Sequence, residues 1–598
     1  MKVRTELFEQ QLEYAKSVVE NINNDPRPAV KYKESRPIVD IRHMLETSVE
    51  LYADNTVFWE KEKKGEPYKK TTYREMYGMV NSLGTALINM GLKGQKIGII
   101  GANSSRWAIS YLAVVCGTGI VVPMDKEISI DTMTEFINRA ELSCVITDEK
   151  HRESLETIKY GGNKHLKTII TMDGIEKIDE NVFQYSKLID KGQELISQGN
   201  REFINAEIDR DTMSILLFTS GTTGASKGVM LSHGNIVEDI MAAPTILKVY
   251  PTDVFFSVLP VHHTYECTCG FLMPIYKGAS IAYCEGLKYI TKNLKEAQPT
   301  LFLGVPAIFE LLYKKIWQNV RKQGKEKTLK RAIKFNNFIK KLGFDLSKKL
   351  FKDILDVFGG KMRLMICGGA AIDPVVLEGI NDFGIVALQG YGLTECAPLA
   401  ALNPDTAPNP SSIGIEFPGI KLAVRDENEE GVGELMVKGP NVMLGYYNMP
   451  EETKEALVDG WFRTGDLGYI DDEGYAYITG RKKNVIITKN GENVYPEELE
   501  YELNLCPYVL ESMVYQGQAE KKDDAVVMAS IVVDMENIVE FEGNDLTDEQ
   551  IEELIADYVE KINEKNPIYK KIRKFNVRKT PLIKNTSNKI IRFSEENK

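Results

Sequence analysis

Thr219-Ser-Gly-Thr-Thr-Gly-Ala-Ser-Lys-Gly228 follows directly on the apolar run 215–218. An apolar run that breaks into three glycines, five hydroxyl-bearing residues and one lysine reads as a strand ending in a tight loop. Such a loop offers backbone N–H groups, hydroxyls and a cation to phosphate oxygens. It is not a Walker A loop, because Ser226 stands five positions after Gly221, where that motif has its second glycine. Working outward, 96–101, 143–148 and 167–173 are further β-rich runs set between helical patterns, the signature of an α/β chain with buried strands. Thr72 with Glu75 forms a capping box for a helix whose apolar face is Tyr77, Val80, Leu83, Leu87 and Met90, closed by Gly91. Thr547 with Gln550 opens a second such helix, striped by Ile551, Ile555, Val559 and Ile562 and stopped by Pro567.

The chain has 598 residues and a formal charge of −12, from 74 basic and 86 acidic side chains. That length exceeds a simple binding module, and at roughly 150 residues per domain it suggests about four units of core. With 43% hydrophobic and 27% charged residues, the chain is neither collagen-like nor a coiled coil nor wholly disordered. The acidic balance argues against nucleic acid as a partner, since neutralising phosphates needs clustered basic surface. Eight scattered cysteines without a CxxC pair fit a reduced cytoplasmic setting and buried free thiols. Residues 1–20 alternate charged and apolar side chains, which reads as an amphipathic surface helix and not a signal peptide. The longest apolar run, 108–124, is broken by Gly117 and Gly119, which fits a core helix followed by a buried strand better than a membrane span. Composition shifts near Gly480, so we expect a domain over 1–480 and a second over 481–598, with Arg481 to Asn484 as linker.

Three more blocks follow the loop in order: Gln389-Gly-Tyr-Gly-Leu-Thr-Glu-Cys396, Gly460-Trp-Phe-Arg-Thr-Gly-Asp466 and Gly480-Arg-Lys-Lys-Asn484. Together these blocks resemble the signatures of the adenylate-forming enzymes, the superfamily of acyl-CoA synthetases, luciferases and nonribosomal-peptide adenylation domains, across roughly residues 40–595. The resemblance implies a large multi-layer N-terminal domain of β-sheets flanked by helices, a small mobile α+β C-terminal domain, and ATP, Mg²⁺ and CoA as the molecules handled. The phosphate loop is matched at Thr219, Ser220, Gly221, Thr222, Thr223, Gly224, Lys227 and Gly228, with Ser226 where proline is usual. Gly368, Gly369 and Ala370 end an apolar strand and make a flat backbone ledge against which adenine fits. By resemblance Tyr391, beside Gly392, stacks on the base, Thr394 contacts the α-phosphate, and Glu395 with Thr219 holds Mg²⁺. Asp466 matches the paired ribose hydroxyls and Arg481 is a permanent donor near the same sugar.

In the tail, Lys589 falls where the family brings a lysine to the carboxylate and α-phosphate; Asn588 replaces the usual preceding glycine, and Lys584 is the competing candidate. Lys483 falls at the family's hinge, and Gly491 lines the channel by which a thiol arrives after the C-terminal domain swings. His263, within Leu259-Pro-Val-His-His-Thr-Tyr-Glu-Cys267, takes the place of the histidine that approaches the substrate carboxylate; a histidine satisfied within the core is the plain alternative.

The insertion 314–353 carries fourteen basic residues interleaved with aromatic and aliphatic ones, and is similar to that of long-chain fatty acyl-CoA synthetases. The expectation is therefore a long-chain fatty acid:CoA ligase, with a fatty acyl-AMP ligase serving a carrier protein, or a catalytically weakened lipid- or nucleotide-binding homologue, as alternatives. A basic amphipathic segment of this kind suits peripheral contact with an anionic membrane surface, a solvated cover over the acyl tunnel, or attraction of CoA phosphates. Acyl chain length, pathway and oligomeric state are written in no motif.

Overall fold

The structure is a computed structural model that describes residues 4–173, 181–219, 226–488, 492–518, 525–543, 546–584 and 590–598. Two large sheets carry the chain up to residue 416, and the strand Gly445–Tyr446 returns to the first of them. The first has eight strands in the order Gly445–Tyr446, Lys227–Ser232, Met213–Thr219, Ile120–Met124, Lys96–Ile100, Cys144–Thr147, Thr168–Thr171 and Val182–Gln184. The three runs expected as strands from their apolar character are neighbours here, paired in parallel. Buried on both faces, they hold little besides Ile, Val, Cys, Thr and Gly, the composition of interior parallel strands. The second sheet has nine strands; Val386–Gly392, Leu364–Cys367, Leu301–Gly304, Val254–Ser257 and Ser280–Tyr283 form its parallel centre.

A five-stranded sheet follows, built from Lys421–Arg425, Gly433–Lys438, Leu457–Val458, Trp461–Ile470 and Ala476–Arg481. Beyond it, a separate cluster of buried side chains runs from Ile486 to Ile572, around the three-stranded sheet Val509–Gln518, Ala525–Val533 and Lys574–Arg578. Arg481 is the last residue of its strand, and the expected linker continues as a single 3₁₀ turn, Lys482–Asn484. The expected insertion is helical: Pro306–Lys322 and Glu326–Lys340 are followed by the short turns Ser347–Leu350 and Lys352–Leu355.

Both capping boxes form. The backbone N–H of Glu75 donates to Thr72 Oγ1 at 3.2 Å and that of Thr72 to Glu75 Oε2 at 2.7 Å, while Gly91 closes the helix at φ +80°. The run 108–124 resolves as a helix Ser105–Ala113, a wide π-type turn Val114–Thr118 and the strand Ile120–Met124. Gly117 sits at φ +138°, and a Cβ there would strike the guanidinium of Arg42. Arg42 is only 2% exposed, yet it is fully used: its guanidinium donates to the carbonyls of Cys116, Phe203, Ile204 (3.3 Å) and Ala206 (2.7 Å). The turn frees the Cys116 carbonyl, the segment 203–206 brings three more beside it, and one buried cation satisfies all four. We expect Arg42→Met, which keeps the volume but strands those carbonyls, to destabilise the protein by about 3 kcal/mol or more. A urea or thermal midpoint equal to that of the parent protein would refute this account.

Candidate active site

The carboxyl ends of Met213–Thr219, Val254–Ser257, Leu301–Gly304 and Leu364–Cys367 open onto one cavity of about 2490 Å³, as ligand crevices in open α/β sheets do. Ser220, Gly221, Thr222, Thr223 and Gly224 lie outside the described residues, but both ends of their loop are placed. Thr219 ends one strand and Lys227 starts the next, register partners with Thr219 Oγ1 donating to the Lys227 carbonyl at 3.3 Å. The Lys227 ammonium stands 4.5 Å from the ring centroid of Tyr446, whose hydroxyl donates to Glu395 Oε1 at 2.9 Å. Cation, aromatic ring and carboxylate thus stack in series, and Thr394 and Glu395 share a single 3₁₀ turn. Burial, and after it the Glu395 charge, pushes the Tyr446 phenol far above its usual range, so it stays a donor.

Tyr446 was not among the residues singled out from the sequence. It arrives through the pairing of Gly445–Tyr446 with the strand Lys227–Ser232, Tyr446 opposite Val229. The donor set is one of hard oxygens, the Glu395 carboxylate with the hydroxyls of Thr219 and Thr394. No three His, Cys, Asp or Glu side chains gather as a metal cage among the described residues. These residues fit Mg²⁺, which takes one or two carboxylates and completes its shell with phosphate and water.

Gly368, Gly369 and Ala370 follow the strand Leu364–Cys367, with Gly369 at φ +85°. The ledge is backed by Tyr265: a Cβ on Gly368 would lie 3.0 Å from the phenol ring, and the Tyr265 hydroxyl donates to the Ile366 carbonyl at 2.9 Å. From the neighbouring strand, the Tyr391 hydroxyl donates to Asp466 Oδ2 at 2.5 Å, and Arg481 Nε reaches Asp466 Oδ1 at 2.8 Å. Asp466 and Arg481 are register partners on neighbouring antiparallel strands, so this pairing is built into the sheet. Asp466 is 3% exposed, and each of its oxygens carries one of these bonds. Gly392 has no room for a Cβ because the Pro398 carbonyl crosses it.

His262 and His263 lie with ring centroids 4.0 Å apart on the cavity wall. Burial, with His263 and Lys126 adding to it, holds His262 neutral, its imidazole far below the ordinary range. Three residues on, Glu266 is 1% exposed. Its Oε1 accepts from Ser257 Oγ at 2.5 Å, Oε2 has no partner among the described residues, and a Cβ on Gly270 would come within 2.7 Å of Oε2. Asn103 completes the network, donating to Ser257 Oγ at 3.0 Å and to the Leu259 carbonyl at 2.7 Å. Sequence reasoning gave Glu266 only a passing place as a neighbour of His263.

From the Ile486–Ile572 side, Glu497, Tyr501, Pro581 and Lys584 reach the same cavity. Lys584 is paired with Glu511. Lys483 lies in the 3₁₀ turn after Arg481; Lys589 and Gly491 lie outside the described residues. Away from the nucleotide-sized end, the wall turns apolar, with Ala243, Leu247, Val249, Phe255, Leu301 and Leu303.

Residues 45–447 match the family model of the AMP-binding enzyme. The chain belongs to that family. A long-chain-fatty-acid–CoA ligase 1 of Cavia porcellus is 31% identical over 470 residues, which cover 73% of this chain and 66% of the guinea-pig one. A fatty acyl-CoA synthetase B of Dictyostelium discoideum is 30% identical over 567 residues, 88% of this chain and 81% of the relative. Among solved structures, the anthranilate CoA ligase AuaEII in complex with anthranoyl-AMP superposes with a TM-score of 0.73 at 20% identity, covering 93% of this chain and 96% of that one. The mixed α/β fold is the one these enzymes share.

The buried carboxyl gives a direct test. Burial raises the Glu266 carboxyl from 4.5 to about 8, and the Ser257 bond offsets this only in part. A carboxyl whose pKa rises on folding is held protonated in the native state while the unfolded chain ionises, so its presence costs stability increasingly as pH climbs from 4.5 to about 8. Glu266→Gln, neutral at every pH, should match the parent's thermal midpoint near the acid end and exceed it increasingly towards the alkaline end. Parallel midpoint curves for the two proteins would overturn this assignment.

Proposed function

We propose that the protein activates a long-chain fatty acid with ATP through an acyl-adenylate and transfers the acyl group to the thiol of CoA. The observation that carries this reading is the shape of one cavity. Lys227, Tyr446, Glu395, Tyr391, Asp466 and Arg481 gather at its polar end, and an apolar arm leads away from it. A triphosphate needs cations and a metal-binding carboxylate, ribose needs a fixed acceptor, and an alkyl chain needs apolar wall. The relatives' names point the same way.

In the first half-reaction a carboxylate oxygen bonds to the α-phosphorus and pyrophosphate leaves. Negative charge grows on the phosphoryl oxygens, so Lys227 and the hydroxyls of Thr219 and Thr394 act there, while Lys589 supplies the ammonium that favours the transition state. Mg²⁺, when held by Glu395 with Thr219, screens phosphate charge. Tyr391 with the Gly368, Gly369 and Ala370 ledge brackets the base, Asp466 accepts from the ribose, Arg481 steadies the same sugar, and His263 faces the substrate carboxylate. Ser220, Gly221, Thr222, Thr223 and Gly224 supply backbone donors. In the second half-reaction the thiol sulfur bonds to the acyl carbon, AMP leaves and the thiol proton goes to solvent. We assign this step to a second placement of a C-terminal domain, 481–598, turning about Lys483 on a domain spanning 1–480 and bringing Gly491 to the thiol channel. The setting is cytoplasmic, with the basic insertion in peripheral contact with a membrane, from which a long-chain acid is drawn. No helix among the described residues is long and apolar enough to cross a bilayer.

With ATP, Mg²⁺ and a saturated long-chain acid we expect pyrophosphate release, and with CoA a thioester. Adenylate that accumulates without thioester would transfer the acceptor role to a carrier-protein thiol; no pyrophosphate from any acid in a panel of short, long and aryl acids would sink the ligase. Lys589→Ala should lower adenylation by roughly a hundredfold or more yet leave preformed acyl-AMP able to react with CoA. The same split from Lys584→Ala instead would move the role to that lysine.

A further inference from the structure

The helix Glu326–Lys340 is loosely tied to the body of the protein: Asn336 is its one buried residue. Leu329, Ala332 and Ile333 turn inward against the main core. Phe335 and Phe338 turn outward, 52% and 64% exposed, and Leu342 and Phe344 in the following segment are 63% and 68% exposed. Four large apolar side chains within ten residues face solvent together, whereas soluble surfaces usually scatter such residues singly.

This exposure is built. Asn336 Nδ2 donates to Ser347 Oγ at 2.9 Å, Asn336 Oδ1 accepts from the Leu346 backbone N–H at 2.9 Å, and Asn337 Nδ2 donates to Asp382 Oδ1 at 2.6 Å. These bonds pin the segment after the helix, so Leu342 and Phe344 are held out beside the phenylalanines. Around them stand Arg331, Lys334, Lys341 and Lys348, all exposed and none in an ion pair among the described residues.

We propose that this face is a membrane-docking surface for an anionic bilayer, with Phe335, Phe338, Leu342 and Phe344 entering the interface and the ring of cations resting on lipid phosphates. The charge pattern selects the occupant. Protein interfaces are depleted of lysine, whereas aromatic residues framed by lysines and arginines match acyl chains lying beneath a plane of negative headgroups. The face also lies one helix from the cavity. Trp317 and Arg321 of Pro306–Lys322 line that cavity, and Lys330 reaches back over the Trp317 ring at 5.8 Å. The inference rests on the proposed long-chain acid only for its purpose, since such an acid partitions into bilayers; the docking chemistry stands on the surface itself.

The test uses the full chain with two vesicle types, phosphatidylcholine alone and phosphatidylcholine with about one third phosphatidylglycerol. We expect co-sedimentation with the anionic vesicles only, weakening as salt rises. The triple variant Phe335→Ser, Phe338→Ser, Phe344→Ser should bind at least tenfold more weakly, and so should Arg331→Glu with Lys334→Glu and Lys341→Glu. Both should keep the parent's thermal midpoint and its turnover of a water-soluble medium-chain acid in vesicle-free buffer. Equal binding to neutral vesicles, binding unchanged in both variants, or no binding by the parent would overturn the proposal. So would a parent dimer in solution that the phenylalanine variant dissolves, because a second copy would then cover the face. Vesicle binding as expected with no acid adenylated would leave the docking surface standing and sink the ligase reading alone.

Discussion

A carboxylate at 3% exposure is tolerable only while donors hold it, and Tyr391 and Arg481, which both hold Asp466, are of unlike origin. Tyr391 comes from the central strand Val386–Gly392 of the nine-stranded sheet, and Arg481 from the last strand of the five-stranded one. Removing either partner would leave the buried charge less well compensated, at a cost in stability. The two sheets therefore meet at this carboxyl group, one partner from each, and they are joined again by the backbone bonds of Ile413 and Gly414 with Ala476. The glycine ledge is one strand away from Tyr391, and the chain enters its 3₁₀ turn directly after Arg481. The geometry of the cavity's polar end, and the point from which the last 117 residues depart, both descend from this junction.

What could be read in the sequence was local. The two capping boxes, the buried strands and the strand that leads into the glycine-rich loop are each marked by residues within a few positions of one another, and all formed. The chemistry-bearing blocks were also visible, because Asp466 and Arg481, Thr394 and Glu395, and Gly368 and Gly369 each sit in short, unusual strings. Tyr446 was not visible. Its role depends on strand register with Val229, more than 200 residues away, and nothing in Gly445-Tyr-Tyr447 announces a partner for Lys227. Arg42 was hidden for the opposite reason, since an arginine on an amphipathic helix is normally assigned to the surface. Only the fold, which sets the turn at Gly117 against residues 203–206, reveals the four carbonyls that need it. In the insertion the period of charge and apolar residues was plain, but not that its apolar residues divide between two faces, Leu329 and Ile333 inward, Phe335 and Phe338 outward. The packing of Leu329, Ala332 and Ile333 on the core and the bond from Asn337 to Asp382 decide that rotation.

The cavity wall also carries costs the rest of the core avoids. Glu266 and His262 are both buried, both neutral, and each leaves a polar atom without a partner among the described residues. A chain selected for stability alone would fill these positions with apolar side chains, and local inconsistencies of this kind gather at sites that handle ligands. Glu266 is accommodated by the missing side chain of Gly270, and His262 by close contact with the tilted ring of His263. These are positions at which stability and chemistry compete, and the network through Ser257 and Asn103 keeps the compromise rigid.

The insertion has one more consequence, and it concerns the molecule as a whole. Residues 314–353 hold fourteen basic side chains against three acidic ones, in a chain whose total is −12. Positive charge is thus gathered in this insertion and again over 565–592, which holds ten basic residues and no acidic one, while the balancing excess of negative charge lies in the remainder, which makes the protein a polyanion with positive poles. In the field of a negatively charged plane such a body feels a torque before it feels contact, and within about a Debye length the torque turns a positive pole forward while its net charge resists close approach in any other attitude. Arrival in the wrong orientation is therefore penalised at a distance, and the encounter rate becomes a property of charge placement that no single ion pair carries.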